Sequence, residues 1–217
     1  MDGHHPAIEE YTEAIFGLRE DGFEVIQARI AERLDVSRPA VSEMVRRLER
    51  DGIVHTTGHT ISLTSTGEEI AERTVRRHRL AECFLTEMLG LSWTAAHEEA
   101  GRWEHVISDN VEAAMLRVLR QPTTCPHGNP IPGSSYQAPN TTELSKLEVG
   151  ISFTVSRIPE ELEFVDGLLA FLEQSGLTPG TKGQITAASP DGTTTVKIGD
   201  RTVGIGSFAC ERILVIT

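Results

Sequence analysis

The 217-residue sequence predicts a mainly α-helical chain with a small β part. Its expected architecture is an N-terminal winged helix-turn-helix, a helical middle domain and a C-terminal SH3-like β-barrel. Three observations lead there. Apolar residues recur at helical spacing in three successive segments before a short β-prone pair, and three longer helix patterns follow. After a stretch rich in Pro, Gly, Ser, Thr and Asn, the pattern changes to short β runs with glycine turns. The expected boundaries are 1–64, 65–140 (linker included) and 141–217.

In residues 7–20, Ile8, Tyr11, Ile15 and Leu18 stand three and four apart, one face of an amphipathic helix. Ile26, Ile30, Ala31 and Leu34 mark a second, short helix, and Asp35-Val36-Ser37 interrupts it. Ser37 is placed to cap a third helix carrying Val41, Met44, Val45 and Leu48, which Asp51-Gly52 ends. IVHTTGHTISLT then reads as a hairpin turning around Thr57-Gly58-His59. Helix, helix, three-residue turn, helix and hairpin make a winged helix-turn-helix. A long helix is expected from Thr64 to about Leu89, a second from Ser92, and a third from Ser108-Asp109 to Pro122. Pro122 to Thr142 reads as a linker. ISFTVSRI, GQITAAS, TTVKIG and ERILVIT read as strands around one helix from Glu160 to about Gln174.

Composition excludes several classes. No apolar run approaches the roughly 18 residues of a membrane span, and MDGHHPAIEEY has neither the basic nor the apolar region of a secretory signal. A cytoplasmic location without membrane partners is expected. Cys83, Cys125 and Cys210 form no CxxC, which argues against a disulfide scaffold or zinc ribbon. The net charge of −12 opposes nucleic-acid binding on average. Position matters more than the average.

The third helix carries Arg38, Arg46, Arg47 and Arg50, with Ser37, Pro39 and Ser42 near its start. A charge run is ordinarily a solvated helical face. Within a winged helix-turn-helix, however, arginines and hydroxyls suit phosphate contacts, and the first turn faces base edges in a major groove. Gln27 and Arg29 on the second helix join this set, and Glu43 could accept from a cytosine amine.

A second constellation is of another kind. His78 and Glu82 stand four apart on one helix, while His97, Gly101, Glu104 and His105 share a face of the next. A single His-x-x-x-Glu pair is ordinarily a surface salt bridge. Two such helices beside a helix showing Glu10 and Glu13 suit a divalent first-row cation, because buried carboxylates and imidazoles facing one another are costly without one. Mutual repulsion of the carboxylates is expected to hold the metal-free form open.

The segments QARIAERLDVSRPAVSEMVRRLERDGIV, RRHRLAECFLTEMLGL, HEEAGRWEHVISDNVE and HGNPIPG resemble the diphtheria-toxin-repressor family of metal-dependent regulators. LEVG, RIPEE, FLEQSGLTPG and VKIG resemble that family's SH3-like, FeoA-type domain. The resemblance implies a homodimeric repressor that grips double-stranded operator DNA when loaded with Mn2+ or Fe2+, at two sites per subunit, with no catalysis. It places His78, Glu82 and His97 at the ancillary site, with Glu160 and Glu163 contributed by the SH3-like domain, and Glu104 and His105 at the primary site. Glu10 stands where iron-type members have methionine and Gly101 where they have cysteine. A carboxylate and a carbonyl make a harder site, which favours manganese. Cys125 and His127 read either as ligands completing a site with Glu82 and Glu160 or as ordinary loop residues. The rival readings are an iron-specific regulator of uptake, a metallohydrolase, and a winged-helix sensor of an organic or redox effector with Cys125 as its thiol. No HExxH or comparable signature supports the hydrolase.

Overall fold

The structure, a computed structural model, describes residues 6–217. His4 and His5 lie outside the described residues. Helices α1 (Pro6–Glu20), α2 (Gln27–Arg33) and α3 (Arg38–Arg50) precede a hairpin of β1 (Val54–Thr57) and β2 (Thr60–Leu63). Tyr11, Ile15 and Leu18 of α1 pack with Ile30, Val41, Val45, Leu48, Ile53 and Ile61 in one core. The Ser37 hydroxyl accepts from the Ala40 backbone N–H at 3.4 Å, with Pro39 in the first turn, where its missing N–H costs nothing. The hairpin turns through Gly58, whose φ of 64° is left-handed, and pairs Val54 with Leu63 and Thr57 with Thr60.

Helix α4 (Ser65–Glu87) starts at a Thr64 cap and is fixed to the hairpin base at once. A Cβ on Gly67 would lie 2.2 Å from the Ile53 carbonyl oxygen, so only glycine permits this backbone-to-backbone contact. Helices α5 (Trp93–Trp103) and α6 (Asp109–Val118) begin at serine caps, Ser92 and Ser108. The last of these stops short of Pro122, because Arg120 and Gln121 take positive φ of 60° and 58°. The stretch after it is not a free linker. Cys125, His127, Asn129 and Ile131 are buried there, and Thr124 bridges to Pro130.

The C-terminal part is a six-stranded antiparallel sheet in the order β3-β8-β4-β5-β6-β7. Its strands are β3 (Thr142–Glu143), β4 (Ser152–Arg157), β5 (Lys182–Ala188), β6 (Thr194–Ile198), β7 (Arg201–Ile205) and β8 (Leu214–Ile216). Strand β7 was not expected from the sequence. The helix expected from Glu160 to Gln174 is instead a 3-10 turn at Glu160–Leu162 followed by α7 (Leu168–Ser175). Gly167, left-handed at φ 73°, interrupts the two. The break frees Glu160 and Glu163 to face the middle domain. A short α8 (Ser207–Cys210) precedes the last strand. Trp93, at the start of α5, packs into the core of this sheet domain, and its backbone N–H donates to the Glu173 carboxylate at 3.1 Å. Among the described residues no helix is long and apolar enough to cross a membrane.

Candidate metal centre

Helix α4 sets the geometry. One turn separates His78 from Glu82, so both point the same way, toward His97 on α5. Glu82 Oε1 lies 3.2 Å from His78 Nε2 and 3.1 Å from His97 Nδ1, and the two imidazoles are 3.2 Å apart. Glu163, delivered by the turn before α7, places one carboxylate oxygen 3.1 Å from His97 Nδ1 and the other 3.0 Å from His127 Nδ1. On the opposite side His78 Nδ1 lies 2.5 Å from Glu104 Oε2. Three overlapping groups result among the described residues: His78, Glu82 and His97; Glu82, Cys125 and His127; and Glu13, His78 and Glu104. Within each group one ligand atom per residue lies within 4.8 Å of the others, close enough to share one ion.

The last group opens on a cavity of about 230 Å³ between α1, α4, α5 and the turn at Glu160. Glu10, Arg33, Glu98, Gly101 and Phe164 also line it. Glu10 is exposed at its rim and belongs to none of the three groups. Gly101 faces open space, since a Cβ built there meets nothing within 4 Å. Glu160 is turned away from the histidines, with Oε2 2.9 Å from Arg79 Nη2 and Oε1 3.4 Å from Arg33 Nη1. His105 pairs through Nδ1 with Glu9 Oε2 at 2.7 Å and lies 3.3 Å from Glu104 Oε1 through Nε2. Glu9 was missed in the sequence. The signal available was its spacing of four from Glu13, the same interval that marked His78 and Glu82.

The carboxylates and imidazoles of the cluster shift one another's protonation. Burial alone would lower the His78 imidazolium, but the facing Glu82 and Glu104 carboxylates outweigh it and raise His78 well above its usual range. Burial likewise opposes a charged His97, yet its bonds to Glu163 and Glu82 push it up to about 10. Glu82 is driven well below the carboxylate range against its burial, by His127 and His78. Glu13 moves the other way. Burial, with Glu104 beside it, holds its carboxyl well above normal.

A cation fits this donor set. His127 is 0% exposed; its Nδ1 faces Glu163 at 3.0 Å and its Nε2 has no hydrogen-bond partner. A buried imidazole with an unpartnered ring nitrogen, beside Glu82 and a buried Cys125 thiol, offers a donor set that suits a cation. An ion held by His78, Glu82 and His97 displaces protons from the two histidines, and one held by Glu13, His78 and Glu104 displaces them from His78 and Glu13. Apparent Mn2+ affinity is therefore expected to rise between about pH 6 and about pH 8, roughly tenfold per pH unit for each proton displaced. Calorimetry in buffers of different ionisation enthalpy counts those protons. A flat profile would contradict this linkage.

On the winged-helix unit, Ser37, Arg38, Pro39, Glu43, Arg46 and Arg50 are exposed along one side of α3, while Ser42 and Arg47 are half-buried. Arg47 reaches Asp51 at 3.8 Å. Gln27 and Arg29 are half-buried on α2, and Arg29 donates to the Glu24 carbonyl at 2.7 Å and covers the Phe23 ring. His55 and His59 are exposed on the hairpin.

Three family profiles tile the chain. They are described as the iron dependent repressor N-terminal DNA binding domain (residues 5–60), the iron dependent repressor metal binding and dimerisation domain (64–133) and the FeoA domain (142–217). The iron-dependent repressor IdeR of Mycobacterium tuberculosis is 37% identical over 207 residues, covering 90% of each chain. The chain belongs to the diphtheria-toxin-repressor family. Diphtheria toxin repressor of Corynebacterium diphtheriae, another member, is 47% identical over 126 residues, 58% of this chain and 56% of that one. Among solved structures, a manganese-dependent transcriptional repressor in complex with manganese superposes with a TM-score of 0.85 at 31% identity, covering 97% of this chain and 99% of the other. T. acidophilum IdeR gives 0.77 at 28%, covering 95% and 96%. In this family member the three described ligand groups lie where α1, α4 and α5 meet the FeoA-type domain.

Proposed function

We propose that this chain is a metal-dependent transcriptional repressor, controlling metal-ion homeostasis, that binds operator DNA as a homodimer when loaded with Mn2+ or Fe2+. The observation that carries the reading is that α1, the first helix of the DNA-binding unit, brings Glu13 to His78 and Glu104 of the middle domain. A divalent ion there supplies positive charge shared by carboxylates from both units, so its occupancy biases how the reading heads are held. The primary set is then Glu13, His78, Glu104 and, 3.3 Å from Glu104, His105 with its partner Glu9, with Glu10 and Gly101 lining the same cavity. Carboxylates and imidazole suit Mn2+ or Fe2+, and the Cys125-containing group is the softer of the two sites in each subunit.

Exposed Arg38, Arg46 and Arg50 give α3 a local charge opposite to that of the whole chain, which supports phosphate contacts. Ser37, Pro39, Ser42 and Glu43 lie at the end of α3 that enters a major groove, with Gln27, Arg29 and Arg47 behind it. The dimer face is the exposed apolar run of Met88, Leu89, Val106, Val111 and Val118, of which Val106 is 74% exposed. The same reading makes the protein cytoplasmic and non-enzymatic, and divides it into reading, dimerisation and FeoA-type units near residues 64 and 141.

The test is fluorescence anisotropy with a labelled operator fragment at fixed salt, titrated with Mn2+, with Fe2+ under anaerobic conditions, and with chelator. Binding is expected at least about tenfold tighter with metal, within the usual range of coupling between sites. Equal binding in chelator would remove the reading. A rise on oxidation of Cys125 alone would favour the redox sensor.

A further inference from the structure

A second cavity, of about 200 Å³, lies between α1, α2 and the turn before α7. It shares Arg33 and Phe164 with the cavity described above but contains no residue of the three ligand groups. Its size is below the roughly 300 Å³ at which sites for drug-sized ligands begin. An occupant is therefore no larger than an amino acid. Leu18, Phe23 and Phe164 give the cavity apolar walls, while Arg29 and Arg33 face two opposite charges, Glu32 and Glu161. Both guanidinium groups are stacked on rings, Arg33 4.5 Å from the Phe164 centroid and Arg29 5.2 Å from that of Phe23. Stacking covers their faces and leaves their N–H edges to bind.

Two polar groups in this lining are unused. The Arg33 side chain is 6% exposed; its Nη1 donates to Glu160 at 3.4 Å, and Asp21 lies 3.5 Å from its Nη2, yet Nη2 makes no hydrogen bond. A buried donor without an acceptor calls for one. Glu32, exposed near the end of α2, has a side chain with no hydrogen bond or ion pair among the described residues. The other two charges are engaged: Glu161 accepts from Arg212 Nε at 2.5 Å, and Arg29 donates to the Glu24 carbonyl at 2.7 Å. The four lining charges cancel, so a lone anion or cation would leave net charge in a half-apolar site, whereas a zwitterion would not. We propose that this cavity binds an apolar α-amino acid, whose carboxylate accepts from Arg33 Nη2, whose ammonium donates to Glu32 and whose side chain lies against Leu18, Phe23 and Phe164. Such a ligand touches α1 and α2 of the reading unit and the FeoA-type turn at once, and so ties those units together without a metal.

The test is isothermal titration of the full-length protein with L-leucine, glycine, isocaproate and isoamylamine. The last three lack, in turn, the apolar side chain, the ammonium and the carboxylate. L-leucine is expected to saturate one site per chain, and each of the others to bind at least about tenfold more weakly, the usual effect of losing one buried apolar group or one charged hydrogen bond. Glu32→Gln alters an exposed side chain that holds nothing else in place. It is expected to weaken L-leucine at least about fivefold and to leave isocaproate unchanged. Absence of saturable L-leucine binding would overturn the proposal. Isocaproate binding as tightly as L-leucine would reduce the site to an anion site and overturn it equally, and so would wild-type L-leucine affinity in the Glu32→Gln variant.

Discussion

Glu104→Gln is expected to lower Mn2+ affinity by more than about 100-fold, beyond the roughly 10–100-fold that follows loss of a residue that only orients a ligand. Glu104 is 4% exposed, touches His78 at 2.5 Å and His105 at 3.3 Å, and belongs to the group that includes Glu13 of α1. Glutamine keeps its shape while removing its charge and one acceptor. A hundredfold loss is about 2.8 kcal/mol. Moving a two-state equilibrium almost completely needs roughly 5.5 kcal/mol of differential affinity. Half the switch is thus lost through one atom exchange, and operator binding at Mn2+ levels that saturate the wild type should disappear. Calorimetry and anisotropy on the same sample check it, with circular dichroism confirming the fold. Wild-type Mn2+ response in this variant would place the switch elsewhere.

The reading unit was legible because its signals are local. Val41, Val45 and Leu48 recur at helical spacing and all are buried; Ser37, Thr64, Ser92 and Ser108 are caps in the sequence and in the structure. The i, i+4 interval of His78 and Glu82 was equally local, and the structure brings His97 to them. Long-range features left no such trace. Glu163 reaches His97 because Gly167 breaks a segment whose apolar spacing reads as one helix. The stretch around Cys125 has a loop's composition, yet it is buried because α4 and the sheet domain close over it. Composition reports propensity; burial is decided by what packs on top. The second face of His78 depends on an imidazole's two nitrogens meeting residues from three helices, which no spacing rule along one helix encodes.

Arg79 was read as part of a recognisable motif and given no role, yet its replacement by methionine is expected to cost about 3–5 kcal/mol, the usual effect of breaking a buried ion pair from one side. Its side chain is 2% exposed. One guanidinium nitrogen donates to Glu20 Oε1 at 3.0 Å and to the Pro130 carbonyl, and the other to Glu20 Oε2 at 2.6 Å and Glu160 Oε2 at 2.9 Å. Glu20 ends α1, Arg79 lies mid-α4 and Glu160 opens the turn of the FeoA-type unit, so one fork ties all three parts of the chain. Methionine fills similar space but strands the carboxylates. Arg157, 3.0 Å from Glu20, and Arg33, 3.4 Å from Glu160, offset only part of that loss. At two to four degrees per kcal/mol for a chain of this size, the melting midpoint falls by about 10 °C. Arg79→Lys retains the charge without the planar fork and should fall between the two. Scanning calorimetry at several pH values measures all three proteins. If the methionine variant melted with the wild type at neutral pH, the junction would contribute nothing to stability, and α1 and the FeoA-type unit would be joined only through the faces they bury.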